Sequence, residues 1–229
     1  MLGLLLFLLL VRPQLTLAAD VTSGAAPTMK ITVETETENG WKVVDPATVL
    51  DSGTKLRFRF SSSFAGYLYV MNQGSSGAYS TLFPANNGGE DNRIEADGEL
   101  VLPRAQGSYK IGGPSGYDVL FWVISPVRWN SAGATSYRPL PPPPQSAARL
   151  RSLQPRCDDA FLRARGDCVD AEAGVRQVAK PEALPENLSK VPGLQSRDIV
   201  FEKGKDSTVV KLAATPAGPV VYEMRIAHK

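Results

Sequence analysis

The chain has 229 residues, 25 basic and 23 acidic side chains, one histidine and a formal net charge of +2 at pH 7. That length can bury a proper core without support from a metal or cofactor. The balanced charge argues against a nucleic-acid partner, because phosphate binding needs concentrated positive charge.

Residues 2–11 are an almost unbroken apolar run, closed by Arg12 and Pro13 and followed by Thr16-Leu17-Ala18-Ala19. The run is too short to cross a bilayer, which takes about 20 residues. It reads as the apolar part of a secretory signal over 1–19, cleaved after Ala18 or Ala19. It departs from that pattern in one respect: no Lys or Arg precedes it. Loss of 1–19 removes Arg12 and leaves no transmembrane segment, so the expected location is the periplasm or the extracellular space.

The sandwich strands are expected over 20–127. Lys30-Ile31-Thr32-Val33-Glu34-Thr35 alternates apolar and polar, the period of a half-buried strand. Asn39-Gly40 is a hairpin signal, and Trp41 to Val44 returns from it. Lys55 to Phe60 alternates with Leu56, Phe58 and Phe60 inward. Tyr67 to Asn72 and Tyr117 to Ile124 are apolar on both faces and read as central strands, with Ser80 to Phe83 and Glu99 to Leu102 between them. Gly, Asn, Ser and Pro clusters separate the runs, with no room for the helical crossovers of a parallel sheet. The predicted fold is an all-β antiparallel β-sandwich, immunoglobulin-like or jelly-roll-like.

Within that stretch the order Gly66-Tyr67-Leu68-Tyr69-Val70-Met71-Asn72-Gln73, Leu82-Phe83-Pro84, Asn92-Arg93-Ile94, Leu102-Pro103, Gly113-Pro114-Ser115-Gly116 and Ile124-Ser125-Pro126 resembles a bacterial family catalogued as domain of unknown function 4384. The resemblance covers about a third of the chain. It implies a β-sandwich-like accessory module, often exported and sometimes joined to kinase, peptidase or envelope-associated domains. It implies no established activity and carries over no catalytic residue. Each piece also has a structural reading: Gly66 and Gly116 where the chain turns, Pro84 and Pro103 where a strand ends for want of a donor.

Residues 128–197 shift in composition. Pro139 and Pro141 to Pro144 predict an extended, semi-rigid stretch, either a spacer or a ligand for an aromatic-lined groove. Cys157 and Cys168 predict one disulfide, worth about 3 kcal/mol at this loop length. Between them Cys157, Ala160, Phe161 and Ala164 recur at helical spacing, so a short stapled helix is expected in this insertion. Strands resume over 198–229. The clearest is Val220 to Ile226, with Val220, Tyr222, Met224 and Ile226 on one side. These C-terminal strands are expected to complete the same domain.

Chemistry is sparse. His228 is next to the last residue, and a nucleophilic centre would have to use an end expected to fray. No Gly-rich phosphate loop precedes a helix. Glu90, Asp91, Glu95 and Asp97, and then Asp158, Asp159, Asp167, Asp170 and Glu172, are acidic but lack calcium-loop spacing. No cofactor and no metal is expected. The leading expectation is a non-catalytic exported module that binds an envelope protein, peptide or glycan. Its candidate contacts are Asn86, Asn87 and Asn92 in the loop 85–92 and the exposed aromatics Trp129 and Tyr137. The alternatives are a two-carboxylate hydrolase and a structural spacer in an envelope assembly.

Overall fold

The computed structural model describes residues 25–85, 91–104, 107–129, 155, 157, 168–178, 184, 186–189, 191–194, 196, 199–204 and 206–229. The expected signal over 1–19, the polyproline run and the helix between the cysteines lie outside them, as do Asn86, Asn87 and Tyr137.

The chain runs β1 (Thr28–Thr37), β2 (Gly40–Val44), β3 (Lys55–Ser62), β4 (Gly66–Gln73), β5 (Tyr79–Phe83), β6 (Arg93–Ile94), β7 (Glu99–Leu102), β8 (Tyr109–Lys110), β9 (Gly116–Ser125), β10 (Gly174–Arg176), a single helical turn α1 (Glu186–Ser189), β11 (Ile199–Lys203), β12 (Thr208–Leu212) and β13 (Val220–His228). The first sheet has seven strands, ordered β11-β12-β1-β3-β7, with β2 on β1 and β8 on β3. The second has six, ordered β10-β13-β9-β4-β5, with β6 on β4. Every strand pairing within both sheets is antiparallel.

Side-chain alternation explains how the sheets stack. Met29, Ile31 and Val33 of β1 and Leu56, Phe58 and Phe60 of β3 face Leu68 and Val70 of β4, Leu120, Trp122 and Ile124 of β9, and Tyr222, Met224 and Ile226 of β13 in one core. Trp122 is its centre, edge-on to Phe58 at 5.4 Å and stacked on Phe60 at 5.6 Å. A sandwich buries one face of each sheet in this way. The predicted strands are present. β6, β8 and β10, of two or three residues each, carry too short a pattern to be read from alternation.

The first hairpin turns on Glu38 and Asn39, with Gly40 at φ 102° opening β2 opposite Thr37. β5 and β7 stop where Pro84 and Pro103 follow, both after cis peptide bonds. Gly66 has a different reason from the expected turn. Its φ is not positive, but a Cβ there would lie 2.9 Å from the Ser125 carbonyl oxygen, so the close approach of β4 to β9 demands glycine.

The C-terminal strands enter both sheets: β12 pairs with β1, and β13 lies between β10 and β9. The expectation of a frayed C-terminus is corrected. His228 is 0% exposed and pairs with Gly116 across β9. Leu50 N–H donates to the Ala227 carbonyl at 2.9 Å, Lys229 N–H to Leu50 at 3.0 Å, and Ser52 N–H to Lys229 at 2.9 Å. Backbone groups at the end of the chain are thereby satisfied by the connection from β2 to β3.

Candidate functional site

Three features of the fold could carry function. The first is the outer face of the first sheet. Alternation sends Glu34 of β1 and Arg57 and Arg59 of β3 outward, where Glu34 accepts hydrogen bonds from both guanidinium groups, at 2.8 Å from Arg59 Nε. Arg59 also reaches Glu99 at 2.6 Å, and Arg57 lies over the Trp41 ring at 4.4 Å. Burial works against the charged form of Glu34, but the hydrogen bonds and charges of Arg59 and Arg57 outweigh it and hold the carboxyl below its ordinary value. The shallow groove beside them, about 380 Å³, is also lined by Lys30, Thr32, Ser61 and Asp206. Glu34 and Glu99 share one arginine, so neither is poised as a proton donor.

The second is a buried ionic network on the outer face of the second sheet. Arg225 meets Glu223 at 2.8 Å and Glu172 at 2.9 Å, and Glu172 also accepts from Arg176 at 2.8 Å. Burial raises the Glu223 carboxyl, with Arg225 opposing it only in part. Tyr117 O–H donates to Asp170, and burial, followed by that carboxylate, pushes the phenol well above its ordinary range. Cys157 and Cys168 form the expected disulfide. Just beyond it, Val49 N–H bonds the Cys168 carbonyl at 2.7 Å and Asp170 N–H bonds Ala47 at 2.9 Å. These are docking contacts that hold the returning chain on the sandwich.

The third is a cleft between the sheets at the side where β8 faces β5. It encloses about 350 Å³ and is lined by Leu56 and Phe58 of β3, Leu82 of β5, Leu120 of β9 and Ile226 of β13, with Asn72, Ser80, Ser108, Tyr109, Lys110 and Asp118 as the polar groups. Tyr109 O–H donates to the Leu82 carbonyl at 3.3 Å and ties the two sheets together at this edge. On the floor, Asp118 Oδ1 accepts from Ser75 N–H at 2.7 Å and faces His228 Nε2 at 3.4 Å. The loop after β8 comes down on the same spot. A Cβ at Gly113, φ 90°, would lie 3.0 Å from Ser75 Oγ. An apolar cavity of this size with a few converging polar groups is the usual form of a ligand site.

The family model for Domain of unknown function (DUF4384) matches residues 49–128. The resemblance read from the motifs is therefore that of the DUF4384 family. Its segment supplies β3 to β9, parts of both sheets, and every residue named above as lining the cleft except Ile226. No curated protein and no solved structure matches the chain.

The residues expected from sequence to bind do not gather at this cleft. Asn92 is 1% exposed; its amide donates to the Leu68 carbonyl at 3.0 Å and its own carbonyl accepts from Leu68 N–H at 2.9 Å, so it pins β4. Trp129 is half-buried rather than exposed. It stacks on Tyr69 at 4.5 Å and donates its backbone N–H to that phenol at 2.8 Å. Trp129 is one of the side chains from the connections that fold onto the apolar part of the second sheet's outer face. Of the acidic residues without calcium-loop spacing, Glu95 pairs with Arg93 at 2.8 Å. Among the described residues no group of three or more His, Cys, Asp or Glu side chains could hold a metal ion.

Asn72 and Asp118 were passed over in the sequence, and their signal was faint. Each is a polar residue at an inward position of a strand that is otherwise apolar on both faces.

Proposed function

We propose that this protein is a non-catalytic binding module of the bacterial envelope, exported by its N-terminal apolar run, and that its ligand seats in the cleft between the sheets. The observation that carries this reading is the lining of the cleft: a cavity of ligand size built almost wholly by the DUF4384 segment. Export is supported by residues 2–11 and by the Cys157–Cys168 disulfide, which needs an oxidising compartment to persist. The immunoglobulin-like or jelly-roll-like sandwich is the scaffold in this reading, and the stapled helix between the cysteines stays part of it on sequence spacing alone.

The partner is an envelope protein, a peptide or a glycan that offers an apolar group small enough for about 350 Å³. The hydrolase alternative has less support, since the described cleft holds one carboxylate, Asp118, while Glu34 and Glu99 are tied to arginine. The test is affinity purification from envelope extracts with the chain from residue 20 onward, beside a Ser80→Trp variant that fills the mouth of the cleft. A partner lost with Ser80→Trp while thermal unfolding is unchanged supports the reading. The same partners on both proteins, or none on either, overturn it.

A further inference from the structure

Two acceptors on the floor of the cleft take no hydrogen bond from a described residue. Asn72 Oδ1 is buried with no hydrogen-bond partner among the described residues. Asp118 takes both of its contacts, Ser75 N–H and His228 Nε2, on Oδ1, and no described residue donates to Oδ2. The two side chains are neighbours on one face. Asn72 of β4 pairs with Leu120 of β9, and Asp118 is the next residue of β9 on the same side as Leu120. The walls above them, Leu56, Phe58, Leu82 and Ile226, carry no polar side-chain atom. Lys110 is the one cation among the described lining residues, its Cε 3.9 Å from where a Gly53 Cβ would be, and Tyr109 beside it packs on the core.

We propose that the cleft takes a ligand with an apolar body and a cationic, hydrogen-bond-donating head, that is, a primary amine. The proposal rests on the cleft being the binding site. Its physical basis is that an unpaired buried acceptor costs free energy which a donor recovers, and that a hydrogen bond to a charged group is about twice as strong as a neutral one. A carboxylate would meet Asp118 with like charge at a site partly withdrawn from water. An alcohol would satisfy Asn72 without the charge term. His228, fully buried behind Asp118, holds the carboxylate in place by a contact on the oxygen away from the ligand.

The experiment is an NMR titration of the chain from residue 20 onward with three probes of one shape: 2-phenylethylamine, 2-phenylethanol and 3-phenylpropionate. The amine is expected to shift Leu82, Leu120 and Asp118 and to bind about tenfold tighter than the alcohol, with the carboxylate weakest. Asp118→Asn should bring the amine to the level of the alcohol. Asn72→Leu, which leaves Asp118 in place, should weaken both amine and alcohol. Equal binding of amine and alcohol in the cleft overturns the amine proposal and leaves the cleft as the site. Tighter binding of the carboxylate overturns it too and moves the head group to Lys110. No shift of any lining residue by any probe overturns the proposal and the cleft reading together.

Discussion

The two sheets use the same inner core and treat their outer faces in opposite ways. The outer face of the first sheet is wet and charged: Arg57, Arg59, Glu34 and Glu99 stand on it, joined in cross-strand ion pairs, with Lys30 beside them. The outer face of the second is largely apolar, apart from the network of Arg225 and Glu223 on β13 with Glu172. Tyr69, Met71, Val119, Phe121, Val123 and Val221 form a second core with Val178, Leu184 and Leu188 from the insertion. One sheet is thus half-buried and the other buried on both sides, which is why β4 and β9 read as apolar on both faces while β3 alternates. The sandwich carries a third, thinner layer, and the C-terminal third of the chain supplies it.

Substitutions test that contrast, beginning with the largest effect. Phe121→Ala, on the covered outer face, should cost about 3–5 kcal/mol in chemical denaturation, as a core aromatic does. Lys211→Ala, on the wet face with only Glu202 as partner, should stay within about 0.5 kcal/mol. Equal effects would mean that the second core is not a core. Deleting residues 227–229 should cost more than about 2 kcal/mol, because three backbone hydrogen bonds and a buried His228 go with them. A frayed end would lose almost nothing.

Glu34→Gln should cost about 1–3 kcal/mol at neutral pH, since both arginines lose a charged acceptor. The pH dependence has a definite sign. The folded Glu34 carboxyl lies below its ordinary 4.5, so its contribution is complete above pH 4.5 and is lost as pH falls through the folded value. Glu223 works the other way: its raised carboxyl contributes below pH 4.5 and loses that contribution as pH rises through the folded value. Thermal unfolding from pH 3 to 8 should show a shallower acid limb for Glu34→Gln and a shallower loss on the alkaline side for Glu223→Gln. Tyr222→Phe works in the opposite direction. The Tyr222 hydroxyl is buried with no partner among the described residues, so its removal should be neutral or stabilise by up to about 1 kcal/mol. A clear destabilisation would reveal a partner for that hydroxyl.

Much of the fold was legible because strand alternation is written residue by residue. Leu56, Phe58 and Phe60 had to share a face wherever β3 went, and Val220, Tyr222, Met224 and Ile226 likewise. The candidate site was far less legible. Asn72 and Asp118 look like ordinary polar residues in their strands, and Trp129 looks like a free aromatic until Tyr69 is placed under it. His228 was misjudged for a related reason. Nearness to a terminus is a property of the chain, whereas fraying depends on what the end is bonded to, and here Leu50 and Ser52 supply the partners.

By itself the sequence determined the strand faces, the presence of a hairpin next to Gly40, the family segment and the cysteine pair, since each depends on neighbours a few residues apart or on residue chemistry alone. Only the tertiary structure decided which faces were wet, which end was locked, and that β3, β4, β5, β8, β9 and β13 enclose a cleft with two acceptors on its floor. Those are outcomes of pairing between segments far apart in the chain. No local pattern encodes them, because the free energy that selects them comes from burial shared among strands rather than from any one strand.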